Sequence, residues 1–223
     1  MSAVAQGSAS SGGGRVRRAL TLAALVIALA VPTLAFGRVA TQIQVKDNAF
    51  SPPTPALRTF QHGASFQWQR AAGSLGTHNI RQDNRLFRSG NLTAGPINYT
   101  ISASAGSYHY YCELHGSPAG GMAGVVKVRP TFNAAPVGNP FTVIWADSAT
   151  NTGKAFDVRY RIGTAGTWHI WRNDTAQFQT VFGLNMKPVP VMLGTTYQFQ
   201  VRSELASDHT KTSDWSPTLA VTP

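Results

Sequence analysis

Nineteen lysines and arginines against nine carboxylates give this 223-residue chain a formal charge of +10, yet only 13% of it is charged, and it holds 21 glycines and 13 prolines. That composition favours short strands and turns over surface helices, so the expected class is all-β. One cysteine rules out a disulfide scaffold, while the length suffices for two modest domains with separate cores.

The first 35 residues read as an export signal. Arg15, Arg17 and Arg18 precede an apolar run from Ala19 to Ala30, and Thr33-Leu34-Ala35 offers small residues where a signal peptidase reads them. Cleavage after Ala35 is expected, leaving the mature chain in the periplasm, on the cell surface or outside. A retained signal anchor is the rival reading; Pro32 and the short apolar core count against a stable span. The charge that remains is uneven. Residues 36–130 hold nine basic and three acidic residues, and residues 131–223 hold seven and six. Such a field favours anionic partners: an acidic redox protein, a membrane surface or a cell-wall polymer. Nucleic acid is not expected for an exported protein.

From Thr41 the chain alternates Ile43 and Val45 with polar neighbours and breaks at Pro52-Pro53, a strand followed by a turn. Phe66 and Trp68 share a parity and are expected to face inward from a second strand. A glycine-rich turn over 73–76 leads to Thr77-His78-Asn79-Ile80. Arg81, Arg85 and Arg88 follow at once; they are either a solvated face or a docking patch for an acidic partner. After a strand around Tyr99 to Ser102, the run from Gly106 to Cys112 is strongly β in character. Its parity sets Tyr108, Tyr110 and Cys112 on one face and His109 and Tyr111 on the other, so His109 is not an expected ligand.

The stretch from Tyr108 to Val128 holds the only cysteine, Cys112, together with His115 and Met122. Thiolate, imidazole and thioether are the donors that select copper, and one Cys with two His and a weak axial Met makes an electron-transfer copper site. A single loop cannot supply every ligand, so the second imidazole is expected from an earlier strand, with His78 best placed.

The order His78-Asn79, Tyr111-Cys112-Glu113-Leu114-His115 and Met122 before Gly124-Val125-Val126-Lys127-Val128 resembles the cupredoxins, the blue copper proteins of the plastocyanin kind. Asn48-Ala49-Phe50-Ser51-Pro52 and the strand His62 to Trp68 are similar to earlier landmarks of that family. The resemblance implies a Greek-key sandwich or barrel over 36–130 and one copper ion cycling between Cu(II) and Cu(I). It also implies that Asn79 holds the ligand loops together, its backbone amide on the thiolate sulfur. Tyr111 stands where the family often has an aromatic, a second electron route or plain strand packing, and the ring edge of His115 is the usual electron exit. Two departures stand out. Thr77 replaces the family's proline, and six residues separate His115 from Met122 where plastocyanin-like loops commonly have four. The chain lacks the extra His-x-His and His-Cys-His ligands of copper oxidases and nitrite reductases, so a carrier is expected and not an enzyme.

Beyond Pro130 three more alternating strands appear, at Phe141 to Trp145, Ala155 to Arg161 and Thr196 to Arg202. With Leu193-Gly194-Thr195-Thr196-Tyr197 and Trp215-Ser216-Pro217, residues 131–223 resemble a fibronectin type III module, in which Tyr197 is the tyrosine-corner residue. Packing is expected of Trp168 and Trp171 over sugar stacking. His62, His169 and His209 fall outside any ligand spacing, and the second module holds too few histidines for a metal site of its own. The expected protein is thus an exported copper electron carrier with a fibronectin-like spacer or docking module. The alternative is an extracellular adhesion or copper-holding protein without redox use.

Overall fold

The computed structural model describes residues 40–54, 60–133 and 140–223, so the expected export signal lies outside the described residues. Among the described residues sixteen strands account for almost all regular structure. In the first half they are β1 (Thr41–Val45), β2 (Phe50–Ser51), β3 (Phe60–Gln61), β4 (Ala64–Arg70), β5 (Arg81–Gln82), β6 (Asn98–Ala103), β7 (Gly106–Ser117) and β8 (Gly120–Arg129). The second half holds β9 (Thr131–Phe132), β10 (Phe141–Ile144), β11 (Lys154–Ile162), β12 (His169–Thr175), β13 (Gln179–Phe182), β14 (Tyr197–Leu205), β15 (Asp208–Thr212) and β16 (Leu219–Val221). One helical turn, Ser148–Asn151, is capped by Asp147, whose carboxylate accepts from the Thr150 N–H. No described helix is long and apolar enough to cross a membrane.

Period-two patterning sorts the first half into two sheets, ordered β2-β1-β4-β6 and β3-β8-β7-β5. Ile43 and Val45 of β1 and Phe66 and Trp68 of β4 are fully buried; they meet Tyr108, Tyr110 and Cys112 of β7 and Met122, Val126 and Val128 of β8. Each such aliphatic or phenyl group contributes roughly 1.5–3 kcal/mol by leaving water. Trp68 and Tyr110 cross edge to face at 5.0 Å, the arrangement ring quadrupoles prefer.

The second half repeats the plan with sheets β13-β10-β9 and β12-β11-β14-β15, β16 pairing on β14. Its core gathers Phe141, Val143, Trp145, Phe156, Tyr197 and Phe199 around Phe182. Trp171 is buried there, 5.1 Å from the Phe182 ring, whereas Trp168 is flanked by the guanidiniums of Arg159 and Arg161 at 4.7 and 4.6 Å. Tyr197 donates to the Pro190 carbonyl and accepts from the Met192 N–H, which ties the turn before β14 to the strand. The protein is an all-β sandwich.

The described residues nevertheless form one compact unit. A polar seam joins the two cores: Ser203 Oγ lies 2.8 Å from Ser104 Oγ and 2.9 Å from Tyr108 Oη, all three residues buried. The Ala105 N–H donates to the Trp145 carbonyl at 2.7 Å, and Ser107 and Asp214 exchange backbone hydrogen bonds.

Candidate metal centre

Three donors converge at one end of the first core. Cys112 Sγ lies 3.8 Å from His78 Nδ1 and 3.6 Å from His115 Nδ1, and the two imidazole rings are 4.8 Å apart. Metal bonds of about 2.0 Å to nitrogen and 2.3 Å to sulfur would separate those atoms by roughly 3.5–3.7 Å at trigonal to tetrahedral angles. The spacing therefore fits a first-row metal without rearrangement.

Each donor is held by its strand environment. His78 is fully buried, exchanges backbone hydrogen bonds with Thr93, and directs Nε2 at the Leu75 carbonyl, 3.0 Å away. Because a carbonyl only accepts, Nε2 carries the proton and Nδ1 presents its lone pair toward the sulfur. Burial, together with the neighbouring His115, pushes His78 below the usual imidazole value, the Leu75 bond opposing. Cys112 is fully buried on the inward face of β7, and His115 follows it on the same strand, only half-buried.

The position of Met122 follows from the β7–β8 register. Tyr111 pairs with Ala123 and Gly116 with Gly121, so the four residues from Cys112 to His115 bulge opposite Met122 alone. The six residues between His115 and Met122, two more than the family's usual spacing, do not form an open loop. They pair as Gly116 with Gly121 and Ser117 with Gly120, and close over Pro118-Ala119. The extra length is absorbed as ladder. Met122, 1% exposed, stays in the core cluster with Cys112. Both glycines are required: a Cβ on Gly116 would sit 2.5 Å from the Met122 carbonyl oxygen, and one on Gly121, at φ +79°, would sit 2.5 Å from that of His115.

Asn79 is buried and links the segments that carry His78 and Cys112. Its Oδ1 accepts the Glu113 N–H at 3.0 Å, and its Nδ2 donates to the Gly90 carbonyl and to the Glu113 carboxylate. Its side chain thus ties the segment that carries His78 to the one that carries Cys112. Glu113 is the centre of a clamp the sequence did not reveal, with Arg81 at 2.7 Å on one oxygen and Arg88 at 2.7 Å on the other. Burial opposes its ionisation, but hydrogen bonds from Arg88, Asn79 and Arg81 outweigh that and lower its pKa to about 2.

Arg81 and Arg88 are therefore both paired with Glu113, Arg88 staying 42% exposed, and of the expected docking trio Arg85 alone makes no ion pair among the described residues. Tyr111, 8% exposed, packs beneath the Arg81 guanidinium at 5.6 Å. His109 points outward and meets Asp214 at 3.2 Å, as its parity requires. His209 departs from expectation: it joins Asp174 and Glu204 in a second cluster of ligand-type side chains. Strand parity could not bring those three together.

No family model matches the chain, and no curated protein matches it significantly. Among solved structures, the interferon gamma receptor alpha chain of chicken is a neighbour at 10% identity and a TM-score of 0.32, covering 68% of this chain and 87% of that one. That likeness is too weak to carry a functional argument.

Proposed function

We propose that the protein is an exported cupredoxin-type electron carrier whose His78, Cys112, His115 and Met122 hold one copper ion, with a fibronectin type III-like module in its second half. The observation that carries this reading is the convergence of Cys112 Sγ with the Nδ1 atoms of His78 and His115 at 3.8 and 3.6 Å, beside a buried methionine. A His2Cys set with a thioether nearby is the donor chemistry of blue copper sites, and copper bound there supplies a one-electron couple. The chain's own residues do the rest. Leu75 fixes the His78 tautomer, Glu113 and Asn79 lock the turn between Cys112 and His115, and the surrounding apolar core excludes water from the sulfur. His115 is the only half-buried residue of the four, which favours it as the side approached by a partner. The basic balance of residues 36–130 favours an acidic redox partner, and the same charge suits attachment to a membrane surface or cell wall.

Adding Cu(II) to the purified chain tests this reading. An intense band at roughly 600 nm from the thiolate is expected, and Cys112→Ser should abolish it. A colourless protein that binds copper stoichiometrically would favour the copper-holding or adhesive alternative, and a band surviving in Cys112→Ser would refute the assignment.

A further inference from the structure

Three strands of the second half meet at one corner of the β12-β11-β14-β15 sheet. Asp174 lies near the end of β12, Glu204 near the end of β14, and His209 in β15. Register shifts interrupt both the β11–β12 and the β14–β15 ladders here, and such bulges re-aim side chains. Asp174 adopts a left-handed backbone, φ +50°, and its N–H donates to Oδ1 of Asp157 at 3.0 Å. Asp157 is itself buried and neutralised by Arg202 at 2.6 Å. The buried Asp157, paired with the partly exposed Arg202, thus holds Asp174 in an uncommon conformation that turns its carboxylate toward Glu204 and His209.

His209 Nδ1 lies 3.3 Å from Asp174 Oδ1 and 3.2 Å from Glu204 Oε1. Glu204 is 1% exposed, and its Oε1 pairs with the His209 imidazole at 3.2 Å without a well-aligned donor among the described residues. A buried carboxylate oxygen without a well-aligned donor, facing a second carboxylate and an imidazole nitrogen, is costly unless a proton or a cation lies between them. Bonds of about 2.1 Å from a tetrahedral zinc ion to nitrogen and oxygen would set ligand atoms roughly 3.4 Å apart, close to both observed separations. Asp174 and His209 remain 44% and 47% exposed, which leaves an entry path and room for a further ligand.

We propose that Asp174, Glu204 and His209 form a second metal site, separate from the His78 cluster, for a borderline divalent cation of the zinc class. Two carboxylates and one imidazole neutralise such an ion, and the nitrogen favours zinc over the oxygen-seeking calcium and magnesium. Isothermal titration of the full chain with Zn2+ tests the site. His209→Ala, and separately the exposed isostere Asp174→Asn, should each lower the zinc stoichiometry by one equivalent or weaken that equivalent by about tenfold or more. Cys112→Ala, which addresses only the first cluster, should leave that equivalent in place. Excess Zn2+ should also raise the thermal midpoint of the Cys112→Ala chain, and this rise should vanish when His209→Ala is added. Zinc binding unchanged by both His209→Ala and Asp174→Asn, with the fold verified by circular dichroism, would overturn the proposal. The outcome does not depend on whether the first cluster carries copper.

Discussion

Glu113 stands between Cys112 and His115 in sequence, and its carboxylate gathers Asn79, Arg81 and Arg88 onto the turn that carries them. Replacing it by glutamine keeps the shape but leaves two guanidiniums without their counter-charge. We expect Glu113→Gln to cost about 1–3 kcal/mol, read as a lower urea midpoint at neutral pH. The pH dependence has a definite sign. The folded-state pKa, about 2, lies below the ordinary carboxylate value, so the stabilisation is present above that value and is lost as pH falls toward 2. Wild type should lose stability through this window, and Glu113→Gln should lose less. Identical acid limbs would show that the clamp does not stabilise the fold.

The β7–β8 hairpin decides whether Met122 belongs to the site. Its ladder breaks between Tyr111 and Gly116, resumes for two pairs, and turns, so the bulge and the methionine stay opposite one another. Backbone packs against backbone at Gly116, which leaves nothing that can rotate aside. Gly116→Ala should therefore force the strands apart, costing about 1–3 kcal/mol. It should also disturb the visible spectrum of the copper-loaded chain, because Met122 and His115 flank the clash. An unaltered spectrum and midpoint would mean that the hairpin tolerates a register other than the one described.

Between the two cores the protein places polar groups where a simple tandem of modules would place a linker. Lys154 reaches Ser104 Oγ at 3.4 Å beside a cavity of about 140 Å3 lined by Leu86, Phe87, Ile101 and Tyr108. Burial lowers its pKa to about 8, with Asp147 only partly opposing. The unfolded chain then binds more protons than the folded one from about pH 8 up to the ordinary lysine value, so stability rises across that range. At neutral pH the buried ammonium is a net cost. Lys154→Met should raise stability at neutral pH by about 1–3 kcal/mol and flatten the alkaline rise. Denaturant titrations at neutral pH and at about pH 9.5 would check both effects. A destabilised variant would instead show that the ammonium is needed at the seam.

Local patterning was enough to reveal the strands, the inward face of β7, and the convergence of His78, Cys112 and His115, because period-two alternation and donor chemistry are both written residue by residue. Ile43, Val45, Phe66 and Trp68 are buried as their parity requires. What depends on distant segments was not legible. The fate of the six residues before Met122 hung on a cross-strand register, and the roles of Arg81 and Arg88 on a carboxylate 32 and 25 positions away. The Asp174, Glu204 and His209 cluster needed two ladder irregularities in separate strands, and the seam through Ser104, Tyr108 and Ser203 joins residues nearly a hundred positions apart. Side-chain type and spacing along one strand determine which face a residue takes; which residues meet across strands is decided by register, bulges and sheet packing, and these exist only once the whole chain has folded.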